Sequence, residues 1–283
     1  ATVTSTRQTR MKYCKPLEHS GKASAEVIRI KSGYCQEGES SSEVRRCFLS
    51  CTEKKRGIEM TKGKAYGVGV GPGDPKLMTL RAVELIKEKE IFCFPGKEPR
   101  ETVAYQIACA AVPELANKTL VPVYMPMKMD KEEILKQHKA GAKIIEEYLD
   151  QGKDVVYLTL GDSTVYCTFT YLQAIMEEDG YATELVPGIT SFCAAAARVN
   201  VPLCEWNEPL HIVPALHKLG DDLSLPGNYV LMKSGSHMAE VKEILRKSGR
   251  DVKVVENCGM PGEKVYWNID EVPDEAGYFS LII

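Results

Sequence analysis

Three short segments carry residue types and spacings suited to holding a small polar ligand: GVGVGPGD at 67–74, LTLGDSTVY at 158–166 and VPGITSF at 186–192. In each, an apolar run passes into a glycine-containing turn. Glycine lets a ligand approach the main chain, and a helix beginning just beyond offers unpaired N–H groups and the positive end of its dipole. The first segment is not a dinucleotide fingerprint, because Pro72 stands where the third glycine of GxGxxG belongs, and it lacks the GK[ST] ending of a phosphate-binding loop. Taken alone, it fits a tight turn with no ligand as well as a binding loop. Three such turns at the ends of apolar runs suggest a shared pocket, since ligands of open α/β sheets gather at the carboxyl ends of strands.

The elements that must position these turns read as follows. KAYGVGV is a strand, and PKLMTLRAVELIKEKE is a helix with Leu77, Leu80 and Val83 at helical spacing. Asp74 before Pro75 supplies its start signal. Strand IFCF, helix ETVAYQIACAAV and strand TLVPV follow. A long helix spans 131–149, opened by Asp130 and Glu133 and closed near Gly152. DVVYLTL is a continuous apolar run, typical of a strand buried on both faces. Beyond 186 come helix TSFCAAAARV, strands LHIVPA and NYVLMK, a helix around HMAEVKEILRKSG, and strands DVKVVEN, EKVYW and YFSLII. Alternating strands and helices imply a mainly parallel first sheet, and consecutive strands near the end imply a mixed second sheet with antiparallel pairs. The expected architecture is two α/β domains, 61–186 and 187–283, behind an extension at 1–60.

That extension carries 12 Lys/Arg against 7 Asp/Glu, and the remainder 24 against 32, so a basic leader precedes an acidic body. An acidic body argues against nucleic-acid binding, which needs clustered positive charge. Residues 1–60 lack a sustained apolar period and read as a flexible extension or the remnant of an upstream reading frame before Met60. Cys14, Cys35, Cys47 and Cys51 contain no CxxC pair, so no metal site is expected. The other six of the ten cysteines sit in apolar stretches and read as reduced thiols of a cytoplasmic protein. No run of about 18 apolar residues suggests a membrane span. His138, His211, His217 and His237 show no triad or ligand spacing.

GVGVGPGDPKLMTLRAVELI, LTLGDSTVYCTFTYL, LVPGITSFCAAAARVNVPL and the closing YFSLII resemble, in order and separation, the successive signatures of the tetrapyrrole methylase family over residues 64–283. The TFTYL, SFCAAAAR and YFSLII segments are most similar to the branch that methylates C20 of precorrin-2 or cobalt-factor II in cobalamin synthesis. The resemblance implies a homodimer of two-domain subunits with S-adenosylmethionine in the interdomain cleft and a flat macrocycle beside it. Carried over by position, cofactor contacts fall on Pro72, Gly161, Asp162, Val165, Tyr166, Thr190 and Ser191, with Met232, Cys258 and Gly259 in the second half. Ser163 departs from the family's usual GDP tripeptide, which puts the rigidity of that turn in question while keeping a hydroxyl there. Pro95 stands where uroporphyrinogen methyltransferases place an aspartate, so no base transfers from them.

A methyl sulfonium is already reactive, so the protein's task is to align it with a nucleophilic carbon and let one proton leave. Asp74 is the expected proton acceptor. Gly71 and Gly73 are expected along the substrate trough, and Lys97, Arg100, Lys128 and Arg198 are the cations for a polycarboxylate. Each has an ordinary structural alternative: Asp74 and Asp162 as helix caps, Met232 and Tyr166 as packing, the cations as solvated surface. The rival functions are a C11, C17 or uroporphyrinogen III methylase, an RNA or protein methylase of the same fold, and a non-catalytic S-adenosylmethionine-binding protein. A nicotinamide oxidoreductase is disfavoured because IFCFPGKE offers only Glu98 after the second strand.

Overall fold

A computed structural model describes residues 61–125, 130–215 and 223–283, so the leader's expected flexibility, Lys128 and His217 lie outside the described residues. The first half contains β1 (Lys64–Gly69), α1 (Leu80–Glu88), β2 (Ile91–Phe94), α2 (Val103–Ala111) and β3 (Thr119–Pro122). It continues with α3 (Lys131–Leu149), β4 (Val155–Thr159), α4 (Phe169–Glu178) and β5 (Ala182–Val186). Its five strands are all parallel, in the order β3-β2-β4-β1-β5.

Both faces of this sheet are buried, which explains the continuous apolar runs. Val68, Phe92 and Leu158 pack on one side against Leu85 and Ile86 of α1 and Ala108 of α2. Ala65, Cys93 and Tyr157, one residue out of phase, pack on the other against Ile145 and Leu149 of α3 and Leu172 of α4. Each large, fully buried side chain stabilises the fold by about 1.5–3 kcal/mol.

The second half contains α5 (Ser191–Arg198), β6 (Leu210–Pro214), β7 (Asn228–Met232), α6 (Met238–Ser248), β8 (Val254–Glu256), β9 (Lys264–Tyr266) and β10 (Ser280–Ile282). Its sheet has the order β6-β7-β10-β8-β9. It is mixed: β6 pairs parallel with β7, while β10 runs antiparallel to β7 and β8. Helix α5 packs through Phe192 and Ala195 on Val230, Val255 and Leu281, and α6 covers the other face.

Two expectations need correction. The helix expected from Pro75 begins at Leu80; Pro75–Leu77 is a 3-10 turn, and Thr79 caps the helix with its hydroxyl accepting from Ala82 N–H at 3.2 Å. This restart resets the phase, so Ala82, Leu85 and Ile86 face the core while Leu80 is 82% exposed. Among the six body cysteines, Cys193 and Cys204 are exposed, although all six are free thiols.

Candidate functional site

Strand β1 lies between β4 and β5, so the parallel carboxyl ends of these three strands are neighbours and the turns that follow them must meet. Gly71 and Gly161 exchange both backbone hydrogen bonds, at 3.1 and 2.8 Å. Gly188 closes against them so tightly that a Cβ there would lie 2.2 Å from the Gly161 carbonyl oxygen. No side chain fits at Gly188. Gly161 itself has φ +73°, and a Cβ on it would enter open space, so its bare face is part of a cradle.

Asp162 fastens the junction. Its Oδ2 accepts from Gly188 N–H at 2.7 Å and its Oδ1 from Thr164 N–H at 2.7 Å, with the Thr164 hydroxyl also donating to Oδ1. Both oxygens of this 7% exposed carboxylate are therefore engaged within the protein. Ser163, fully buried, donates its hydroxyl to Val186 O at 2.9 Å. Where the family's usual proline would stiffen the turn, this serine ties it to the end of β5.

The second sheet brings a matching edge. Because β10 is antiparallel to both neighbours, its amino end lies beside the carboxyl ends of β7 and β8, placing Met232, Cys258 and Ser280 together. A cavity of about 210 Å³ is bounded by this edge and the glycine junction. Pro72, Gly161, Asp162, Val165 and Tyr166 line it from the first half. Thr190 and Ser191 contribute the amino terminus of α5, and Met232 and Cys258 the opposite wall. Gly259 is adjacent rather than lining: its amide donates to Glu263 Oε2 at 2.6 Å. Gly73 packs onto the same turn, where a Cβ would lie 2.3 Å from Cys258 O.

Thr190 occupies the N-cap position of α5, yet its hydroxyl makes no capping bond and is buried with no hydrogen-bond partner among the described residues. Thr190 lines the cavity, and its unmatched hydroxyl is a polar group left for a ligand or an ordered water to satisfy. The free N–H groups of α5 and the open Gly161 face lie beside it. Burial pushes the Cys258 thiol up, against the opposing influence of Arg198, and so keeps it neutral.

The remaining expected residues lie elsewhere. Asp74 Oδ1 accepts from Lys76 N–H at 2.9 Å, capping the 3-10 turn outside the cavity lining. Lys97 is exposed, with Nζ 4.9 Å from the Tyr124 ring centroid, and Arg100 donates to Tyr105 Oη and Ala116 O, each at 3.0 Å. Arg198 pairs through Nε with Glu263 Oε1 at 3.0 Å. None of these three cations lines the cavity.

Lys233 does line it, and sequence reasoning passed over it although it ends the quoted VLMK run. Its Nζ lies 4.9 Å from the Tyr166 ring centroid. Both residues adopt left-handed backbone, at φ +63° and +50°, a cost of roughly 1–3 kcal/mol each. No ion pair to Lys233 forms among the described residues, leaving a cation at the cavity held only by an aromatic face. Tyr278, likewise missed, also lines the cavity; it is half exposed, and partial desolvation raises its phenol, leaving a neutral donor. The signal for both was their place next to strand ends. Among the described residues no cluster of His, Cys, Asp and Glu has a metal-binding arrangement, and no helix is long and apolar enough to cross a membrane.

Residues 64–273 match the family model described as tetrapyrrole (corrin/porphyrin) methylases. The chain is similar to the probable cobalt-precorrin-2 C(20)-methyltransferase of Methanocaldococcus jannaschii, at 33% identity covering 78% of this chain and 95% of that protein. It is also similar to a precorrin-2 C(20)-methyltransferase from a Sinorhizobium species, at 28% identity with 78% and 94% covered. The fold is shared with a crystal structure of uroporphyrin-III C-methyltransferase from Thermus thermophilus complexed with S-adenosylhomocysteine. That match has a TM-score of 0.57 and 24% identity, covering 78% of this chain and 96% of that one.

Proposed function

The chain belongs to the tetrapyrrole methylase family, and from that membership we propose that it transfers a methyl group from S-adenosylmethionine to C20 of precorrin-2 or cobalt-factor II in cobalamin synthesis. The observation that carries this reading is the meeting of three glycine turns, the α5 amino terminus and the β7–β10–β8 edge around one cavity with an unmatched hydroxyl. The relatives named for C20 methylation supply the substrate and the position.

The residues present fit a methyl donor. Bound there, S-adenosylmethionine supplies an electrophilic methyl on sulfur. In this reading Thr190 and the bare Gly161 face hold its polar groups, while Pro72, Val165, Met232 and the neutral Cys258 thiol offer apolar wall. Ser191 and Tyr166 complete the proposed contacts, and Gly259 supports the neighbouring Cys258 wall. Asp162 acts as a brace, not a base, because both its oxygens hold backbone or hydroxyl groups. Lys233, with no anionic partner among the described residues, is suited to a carboxylate of the macrocycle. Alignment alone contributes several kcal/mol, up to roughly 7–11 in favourable intramolecular systems. The proton lost from the methylated carbon goes to water or to Asp74, whose Oδ2 is left unused by the turn that Oδ1 caps.

Three finer readings accompany this one. The two sheets correspond to domains 61–186 and 187–283. A cytoplasmic location is supported by free thiols at all six described cysteines. A homodimer is supported by large apolar side chains left exposed, Trp206 and Tyr171 among them, and light scattering on the eluted protein tests it.

The deciding experiment incubates the protein with labelled S-adenosylmethionine and either metal-free or cobalt-loaded substrate. Mass spectrometry should show one added methyl, and NMR should place it on C20. A methyl on C11 or C17 would move the protein to another branch, and absent affinity for S-adenosylhomocysteine by calorimetry would remove the methyl-donor reading altogether.

A further inference from the structure

The turn that carries two lining residues of the cavity, Cys258 and Met260, is an unusual piece of chain. Asn257 and Gly259 both lie in the left-handed region, at φ +54° and +74°, within three residues. Gly259 adopts that conformation freely and Asn257 at a modest cost, so outside contacts are needed to hold the turn in one geometry. Its own closure is modest: Met260 N–H donates to Asn257 O at 2.9 Å, and Asn257 Nδ2 reaches Gly262 O at 3.4 Å. The stronger restraint comes from Glu263, whose Oε2 accepts from Gly259 N–H at 2.6 Å. Its other oxygen, Oε1, is fixed by Arg198 Nε at 3.0 Å. Arg198 also faces the Cys258 thiol, which lines the cavity.

Arg198 is the last residue of α5, the helix whose first turn bears Thr190 and Ser191. The Arg198–Glu263–Gly259 chain therefore joins one wall of the cavity to the opposite end of the helix that supplies another. Across the turn, Gly259 leaves no slack: a Cβ there would meet Asp74 N at 2.6 Å. A displacement of the turn is thus passed to the Gly71–Asp74 loop as well.

We propose that Glu263 and Arg198 are positioning residues for the methyl-donor site, Glu263 acting through the Gly259 amide and Arg198 acting through Glu263, rather than Arg198 receiving a substrate carboxylate. The proposal rests on the methyl-donor reading of the cavity. It predicts that the pair is coupled, because a carboxylate already held by arginine is what holds the amide.

The test is calorimetric titration of S-adenosylhomocysteine into the purified chain and its variants, together with steady-state kinetics. Glu263→Ala should weaken binding about tenfold, and Arg198→Ala about threefold. The double variant should be no weaker than Glu263→Ala, and Glu263→Gln, which still offers the amide an acceptor, should recover most of the loss. KM for the tetrapyrrole should stay within about twofold throughout. An Arg198→Ala variant that raises tetrapyrrole KM while leaving S-adenosylhomocysteine affinity intact would overturn the proposal, as would additive losses in the double variant. Should Glu263→Ala fail to fold, Arg198→Ala set against Arg198→Lys carries the test: the first should lose S-adenosylhomocysteine affinity and the second recover part of it with tetrapyrrole KM unaltered, and an effect confined to KM would overturn the proposal. Failure of the unaltered protein to bind S-adenosylhomocysteine would instead strike the reading beneath it.

Discussion

At the scale of single residues, the site separates groups that touch a ligand from groups that hold those groups in place. Gly161 and Gly188 sit on one junction with different duties. Gly161→Ala adds a methyl to open space at φ +73°, so it should weaken S-adenosylhomocysteine binding and cost about 1–2 kcal/mol of backbone strain. Gly188→Ala drives a methyl into the Gly161 carbonyl, so it should spread the junction, losing more stability as well as affinity. Thermal unfolding and titration of the two variants check this ranking; equal stabilities would contradict it. Asp74 has two possible duties in one carboxylate, and Asp74→Asn separates them. Asparagine caps as well as aspartate, so stability and cofactor affinity should hold while turnover falls by roughly 10²-fold or more if Asp74 takes the proton. Unaltered turnover would leave Asp74 as a cap alone.

At the scale of elements, two threonines at equivalent positions do opposite work. Thr102 caps α2 in full: its hydroxyl accepts from Tyr105 N–H at 3.3 Å and donates to Pro99 O at 2.7 Å. Thr190 caps nothing, although it precedes α5 in the same way. Thr102→Ala should cost about 1 kcal/mol, lowering Tm by roughly 2–4 °C, with no change in S-adenosylhomocysteine affinity. Thr190→Val should leave Tm nearly unaltered and weaken that affinity. A calorimetric comparison in which Thr190→Val lost stability and kept its affinity would assign the hydroxyl to the fold. Both helix starts looked alike as sequence, because a capping residue is recognised by type, whereas its duty depends on where the helix points.

At the scale of the whole molecule, charge and function occupy opposite ends of the first sheet. Beyond the amino ends of β1 and β4, Asp154 accepts from Lys64 N–H at 2.8 Å and Lys89 Nζ at 2.7 Å, and Lys64 Nζ reaches Glu184 at 2.5 Å. Burial pushes the Asp154 carboxyl up, but the bonds from Lys89 and Lys64 outweigh it and hold it below its ordinary value. A carboxyl held low contributes stability that is complete above its unfolded pKa of about 3.9 and is lost as pH falls through the folded value. Asp154→Asn should therefore lower stability by about 1 kcal/mol at neutral pH and flatten the decline below about pH 4. Because the cavity lies at the strands' other ends, S-adenosylhomocysteine affinity should be unaltered. A steep acid transition preserved in the variant would show that other carboxylates govern it.

The sequence by itself determined whatever depends on near neighbours. The Asp130 cap, whose Oδ1 accepts from Glu133 N–H, the left-handed Gly152 just beyond α3, the strands buried on both faces and the three glycine turns were all legible, because each is set by a few consecutive residues. The phase of α1 was misread since a proline turn and a threonine cap intervene within five residues. Tertiary structure alone decided that β1 inserts between β4 and β5, which brings the turns together, and that β10 returns antiparallel between β7 and β8. It also decided which cation lines the cavity: Lys233 does, while Arg198 is held by Glu263. Strand order and side-chain partners arise from pairings across tens of residues, where competing registers and partners differ by little in local preference, so only the packed whole selects among them.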